Sequence, residues 1–206
     1  MCGINGIVYK NKKPNKSEIH IMNQAIKHRG PDDEGIMSFE NSILGHVRLS
    51  ILDLSPKGKQ PMTCDKRFWI TYNGEIYNFK TIREELIKLG HKFFSETDTE
   101  VVAELMNYLI EDKASPLEAT TEVAKRIEGN YAIAFLVKNS KNLYVTRRGS
   151  PLLIGISKSL NCVASDSLAL PNNVDAKGTH KLNCEVTVSG NFYSHDWSYT
   201  KLAHND

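Results

Sequence analysis

An α+β fold, with helices and strands interleaved around one core, is predicted by three features of the 206-residue sequence. Short alternating or β-branched runs recur along the chain, amphipathic helical segments with capping residues lie between them, and no Gly/Ser- or Pro-rich linker or internal repeat divides the pattern. A single domain over residues 1–206 follows, with residues from about 190 to 206 left as a possible irregular tail.

Residues 3–9 mix β-branched and small side chains ahead of a Pro/Asn/Lys turn, which suits a strand entering the core from the N-terminus. Ser17 can cap a helix running to about residue 27, with Ile19, Met22 and Ile26 at helical spacing, and His28-Arg29-Gly30-Pro31 then breaks it. Two β-like runs, 35–39 and 42–48, are joined by Glu40-Asn41 as a hairpin turn, and a further run covers 68–72. Residues 78–89 read as a helix with Phe79, Ile82, Leu86 and Leu89 on one face and Gly90 as its stop. Thr97-Asp98-Thr99-Glu100 is a capping box opening the next helix, to about residue 110, and Ser115-Pro116-Leu117-Glu118 opens another with N-cap, N1 proline and N3 glutamate in order. Alternation at 130–137 with a partner run at 143–147 predicts a hairpin. Short strands at 153–157 and 162–164 and one alternating run at 182–188 complete the pattern.

The charge balance, 26 basic against 24 acidic residues for a net +2, advertises no polyanion partner, so nucleic acid is not expected; the basic run at 10–16 reads as a solvated loop. With no basic n-region, apolar h-region or long apolar run after Met1, neither a signal peptide nor a membrane span is expected, and a cytoplasmic protein follows. Cys2, Cys64, Cys162 and Cys184 lack the close paired spacing of zinc or redox motifs, and the seven histidines are scattered, so no metal is expected. Cys64, Cys162 and Cys184 read as buried or inert thiols.

Cys2 is different because trimming Met1 would leave one residue holding both a thiol and a free amine. An α-amino group has a reference pKa of about 7.7–8.0, so near neutrality it can take the thiol proton directly or through water, and no separate histidine base is required. Taken alone, Cys2 is equally a small residue at a strand start, Asn73-Gly74 an ordinary turn dipeptide, Arg48 a surface charge and Asp98 part of a helix start.

Five motifs stand together. Met1-Cys2-Gly3-Ile4, His28-Arg29-Gly30-Pro31-Asp32-Asp33-Glu34-Gly35, Gly45-His46-Val47-Arg48-Leu49-Ser50-Ile51, Asn73-Gly74-Glu75-Ile76-Tyr77-Asn78 and Thr97-Asp98-Thr99-Glu100 resemble, in order and spacing, the glutaminase domain of asparagine synthetases. The resemblance runs closely from Met1 to about Leu105. It implies a class II glutamine amidotransferase domain with the N-terminal nucleophile hydrolase fold, a four-layer αββα sandwich of two antiparallel sheets between two helical layers. It also implies the chemistry: Cys2 attacks the side-chain amide of L-glutamine to give a γ-glutamyl thioester and ammonia, and water then releases glutamate, with no cofactor. Asn73 and the Gly74 N–H would form the oxyanion hole, Arg48 would pair with the α-carboxylate, Asp98 would hold the α-ammonium with help from Glu75, and Ile51 and Leu52 would shape the pocket wall. His28, Arg29, Asp32 and Asp33 are assigned a structural role near the site.

After about Gly129 the resemblance shifts. Arg148-Gly149-Ser150-Pro151-Leu152-Leu153-Ile154-Gly155 and Ala164-Ser165-Asp166-Ser167-Leu168-Ala169-Leu170 are closer to the glutaminase domain of glucosamine-6-phosphate synthase. The 206 residues hold no phosphate-binding glycine loop, so ammonia would pass to a synthetase domain or a separate ammonia-accepting subunit. Two other readings stay open. One is a catalytically silent glutamine-binding regulatory subunit of the same fold; the other is cleavage of a different amide.

Overall fold

The structure is a computed structural model and describes residues 1–50, 56–180, 184–188, 192–194 and 198–201. The elements follow in chain order: β1 (Gly3–Tyr9), α1 (Lys16–Ala25), β2 (Asp33–Phe39), β3 (Ser42–Arg48), β4 (Phe68–Ile76), α2 (Phe79–Lys88), α3 (Asp98–Glu111), α4 (Pro116–Arg126), β5 (Gly129–Val137), β6 (Leu143–Arg148), β7 (Leu153–Ile156), β8 (Leu160–Ala164), β9 (Asp175–His180), β10 (Cys184–Val188), β11 (Phe192–Ser194) and β12 (Ser198–Lys201). They form two antiparallel sheets, one ordered β12-β9-β7-β8-β1-β3-β2 and the other β11-β10-β6-β5-β4.

Helix α1 packs on β1, β2 and β3; α3 packs on β4 and α4 on β6, with α2 against α3. The result is the expected four-layer αββα sandwich. Four layers require three apolar seams, and three are present. Ile19, Met22 and Ile26 meet Ile7, Ile43 and Val47 in the first. Ile4, Val8, Leu44, Ala132, Ala134 and Leu136 fill the space between the sheets, and Ile70, Tyr131, Ile133 and Phe135 meet Ile82, Val102 and Leu105 in the third.

Period-two alternation divides each strand between two of these seams. In β1, Ile4 and Val8 face the second sheet while Ile7 and Tyr9 face α1. Asn5, on the helix side, donates through Nδ2 to Asn23 Oδ1 at 2.9 Å, so two buried polar residues of that seam pair with each other. In β3, Ile43 and Val47 face α1, whereas His46 turns inward and its Nδ1 lies 2.9 Å from Thr71 Oγ1 of the opposite sheet. β1 is paired on both flanks, by β3 and β8, so the start of the chain is held at the centre of its sheet.

Several boundaries differ from the sequence expectation for identifiable reasons. Helix α1 begins one residue earlier than Ser17, because the Asn15 side chain accepts the Ser17 N–H at 3.0 Å and is the N-cap. It ends in a short 3₁₀ turn at Lys27–Arg29. The capping box at Ser115 is complete, with Glu118 returning to the Ser115 N–H. The one at Thr97 is half-formed: Thr97 Oγ1 accepts the Glu100 N–H, but the Glu100 carboxylate accepts the Phe94 and Ser95 N–H groups instead. Strand β4 extends past Tyr72 to Ile76, so Asn73-Gly74 lies inside the β4–β5 ladder and is not a turn. Strand β9, whose Asp-Ala-Lys-Gly-Thr-His sequence has little β-propensity, pairs with β7. The stretch left as a possible irregular tail contains β11 and β12, paired with β10 and β9. Among the described residues no helix is long and apolar enough to cross a membrane, and no group of three His, Cys, Asp or Glu side chains could hold a metal ion.

Candidate active site

Cys2 precedes β1 and shares the parity of Ile4, which directs it to the inter-sheet side. Its Sγ accepts the Leu49 N–H at 3.4 Å and donates to the Leu49 carbonyl at 3.6 Å, just beyond the end of β3. Burial pushes the thiol above its ordinary value, with the Leu49 backbone hydrogen bond, the chain's amino terminus and Arg48 opposing the rise. The resting sulfur is thereby held in its thiol form.

A cavity of about 440 Å³ opens at this end of the sandwich, lined among others by Met1, Cys2, Arg48, Asn73, Gly74, Glu75 and Asp98. These side chains come from three elements and one strand start. Arg48, the last residue of β3, is buried, and its guanidinium runs so close to Gly58 that a Cβ there would lie 2.3 Å from Nη2. Asn73 is 2 % exposed, and among the described residues its Nδ2 has no hydrogen-bond partner, which leaves a buried amide donor available at the cavity. Gly74 has φ +150°, and a Cβ on it would come within 2.2 Å of the Asn130 carbonyl oxygen, so the backbone here requires glycine.

Asp98 occupies the first turn of α3, where the free N–H groups and the helix dipole favour an anion. Its Oδ2 accepts the Tyr72 hydroxyl at 2.6 Å and the Ile76 N–H at 3.2 Å. Burial raises its pKa, and the hydrogen bonds from Tyr72, Ile76 and Thr99 counter that rise. The cavity thus offers a thiol, an unpartnered amide donor, a guanidinium and a carboxylate. Glu75 stands exposed at the rim. Ile51 and Leu52 lie outside the described residues.

The 28–33 motif touches backbone groups of Cys2, Arg48 and Ser50. Arg29 Nε donates to the Cys2 carbonyl at 3.3 Å, Asp32 Oδ2 accepts the Ser50 N–H at 2.8 Å, and Pro31 bridges to Arg48. Sequence reasoning did not name Tyr72, Gln60, Thr97, Thr99, Tyr77, Asn130 or Ser150 as lining residues. Thr97 and Thr99 carried a signal in the capping motif around Asp98, and Tyr77 and Ser150 in the motifs that begin at Asn73 and Arg148; Tyr72, Gln60 and Asn130 carried none. Of the other thiols, burial raises Cys162 to about 12 and pushes Cys64 higher still.

The sequence profile of the glutamine amidotransferase domain family matches residues 1–184. A Methanocaldococcus jannaschii protein named for a glutamine-hydrolysing asparagine synthetase is 51% identical over 128 residues, covering 53% of this chain and 24% of the relative. The glutamine–fructose-6-phosphate aminotransferase (isomerizing) of Bartonella henselae is 31% identical over 204 residues, covering 85% of this chain and 33% of the relative. Among solved structures, the glutamine phosphoribosylpyrophosphate amidotransferase of B. subtilis, complexed with ADP and GMP, superposes with a TM-score of 0.77 at 17% identity, over 99% of this chain and 50% of that one. The chain thus spans a quarter to a third of these curated relatives. The superposition identifies the sandwich as the N-terminal nucleophile hydrolase fold. On the profile match over most of its length, the chain belongs to the glutamine amidotransferase domain family, enzymes of class II.

Proposed function

We propose that this domain hydrolyses L-glutamine to glutamate and ammonia through a γ-glutamyl thioester on Cys2. The reading is carried by one observation: a half-buried thiol and a buried amide nitrogen with no hydrogen-bond partner among the described residues share a cavity with a guanidinium and a carboxylate. A free α-amino acid needs those last two charges, a cation for its carboxylate and an anion for its ammonium. Arg48 supplies the first in planar, bidentate-capable form, and Asp98 the second.

A thiol at the chain start has its own amine as a nearby base. No histidine lines the cavity among the described residues. With Met1 removed, the Cys2 amine takes the thiol proton as Sγ attacks the amide carbon. The oxyanion that forms is met by Asn73 Nδ2 and the Gly74 N–H. The amine returns the proton to the departing nitrogen, ammonia leaves, and water, deprotonated by the same amine, attacks the thioester to free the thiol and glutamate. The ammonia is consumed by a synthetase domain or partner outside these residues.

Intact mass and glutamate release from L-glutamine, measured on one purified sample, test this. Turnover by methionine-free chain, lost in Cys2→Ala with the fold retained, is expected; turnover surviving in Cys2→Ala would sink the mechanism. Glutamine binding with no turnover in the methionine-free protein would favour the silent regulatory alternative.

A further inference from the structure

Asp98 does not stand alone, and the group that orients it comes from the opposite side of β4 to Asn73. Tyr72 precedes Asn73, and by strand alternation its ring turns into the seam between β4 and the helices, where it is 3 % exposed. Its hydroxyl donates to Asp98 Oδ2 at 2.6 Å, the same oxygen that accepts the Ile76 N–H at 3.2 Å. Tyr72 is itself fixed. Its N–H donates to Gln60 Oε1 at 2.6 Å, and Gln60 Nε2 donates to Thr99 Oγ1 at 3.2 Å, so one buried glutamine ties β4 to the first turn of α3. Burial and the adjacent Asp98 charge push the phenol above its ordinary value, so it remains a donor throughout the physiological range.

A carboxylate with two donors on one oxygen is restrained about its last torsion and presents the other oxygen to whatever enters the cavity. From this geometry, and resting on the glutamine reading above, we infer that Tyr72 is a positioning residue: it holds Asp98 so that Oδ1 receives the substrate α-ammonium, and thereby selects an α-amino acid amide over its des-amino counterpart. Loss of the hydroxyl leaves the carboxylate in place but held only by the backbone N–H contacts of Ile76 and Thr99, and the penalty falls only on ligands that carry the ammonium.

The test is Tyr72→Phe, which keeps the ring in its seam. Ammonia release gives KM and kcat for L-glutamine, and 4-carbamoylbutanoate, which lacks only the α-amino group, gives a competitive Ki. KM for glutamine is expected to rise about tenfold with kcat within about twofold, while Ki for the analogue is unchanged. Equal weakening of both ligands, or a glutamine KM within about twofold of wild type, overturns the inference and leaves glutamine hydrolysis standing. A wild-type protein that releases no ammonia is assayed by calorimetric glutamine binding with the same pair of ligands; if it binds no glutamine, the functional reading falls and this inference with it. Should Tyr72→Phe fail to fold, proton NMR of the wild type decides. A slowly exchanging tyrosine hydroxyl proton that moves on addition of L-glutamine, but not of the analogue, is expected, and a spectrum without that response overturns the proposal.

Discussion

Replacing Asn73 by alanine separates the transition state from the ground state unusually well. The Nδ2 group is buried and has no hydrogen-bond partner among the described residues, so its removal breaks no hydrogen bond with any of them. An orphan buried donor costs about 1–3 kcal/mol, and relief from that cost offsets the packing lost with the side chain. Net stability should therefore change by about 1 kcal/mol or less, a shift of roughly 2–4 °C in a chain of this size. Catalysis should respond very differently. One oxyanion donor is worth about 2.7–4 kcal/mol, or about 10²–10³ in kcat, and at 2 % exposure water cannot readily replace it. Steady-state glutamate release with thermal unfolding on the same preparation is the assay. A kcat within about tenfold of wild type, or a loss confined to KM, would refute the assignment of this amide to the oxyanion.

Gly74→Ala should be harsher on the fold, because its Cβ meets the Asn130 carbonyl at 2.2 Å and the backbone sits at φ +150°; destabilisation of about 1–3 kcal/mol in chemical unfolding, with activity lost, is expected. The pKa of Asp98 is raised by burial, so glutamine affinity should fall as pH drops through that raised value, which a KM–pH profile reads and which Asp98→Asn should flatten. The sign for stability is opposite: the folded state binds this proton more tightly than the unfolded state, so the contribution of Asp98 is fully present at low pH and lost as pH rises through the raised pKa. His46 behaves in the reverse sense, since complete burial lowers it to about 3 and it stays neutral. Its contribution is present above about pH 6.5 and declines as pH falls towards 3, by up to about 5 kcal/mol, so urea unfolding of His46→Gln should show a weaker acid dependence than wild type.

Much of the architecture was legible because local signals coincide with tertiary ones. Ser115-Pro116-Leu117-Glu118 closes its box as written, and the Ile19, Met22 and Ile26 stripe faces β1 and β3 as its period requires. The failures share a cause: a partner distant in sequence overrides the local preference. Asn73-Gly74 reads as a turn, yet pairing with Ala132 and Tyr131 keeps it in a strand. Glu100 is placed to complete a capping box but is claimed by two N–H groups of the preceding loop. Part of the cavity lining was visible where rare residue types stand in register, as with Cys2, Arg48, Asn73 and Asp98. Tyr72 and Gln60 were not, because an aromatic in an apolar strand and a glutamine beside a proline look like core and loop until the fold brings both to the start of α3.

The central place of β1 in its sheet carries a practical consequence. Because β3 grips the strand from Gly3 and β8 from Asn5, the chain start is anchored beside the cavity, whose lining includes the largely exposed Met1. A purification tag or fusion partner placed ahead of Cys2 therefore starts its linker at the edge of the cavity. Recombinant material meant for assay should carry its handle elsewhere, or be released by a protease that leaves cysteine as the first residue.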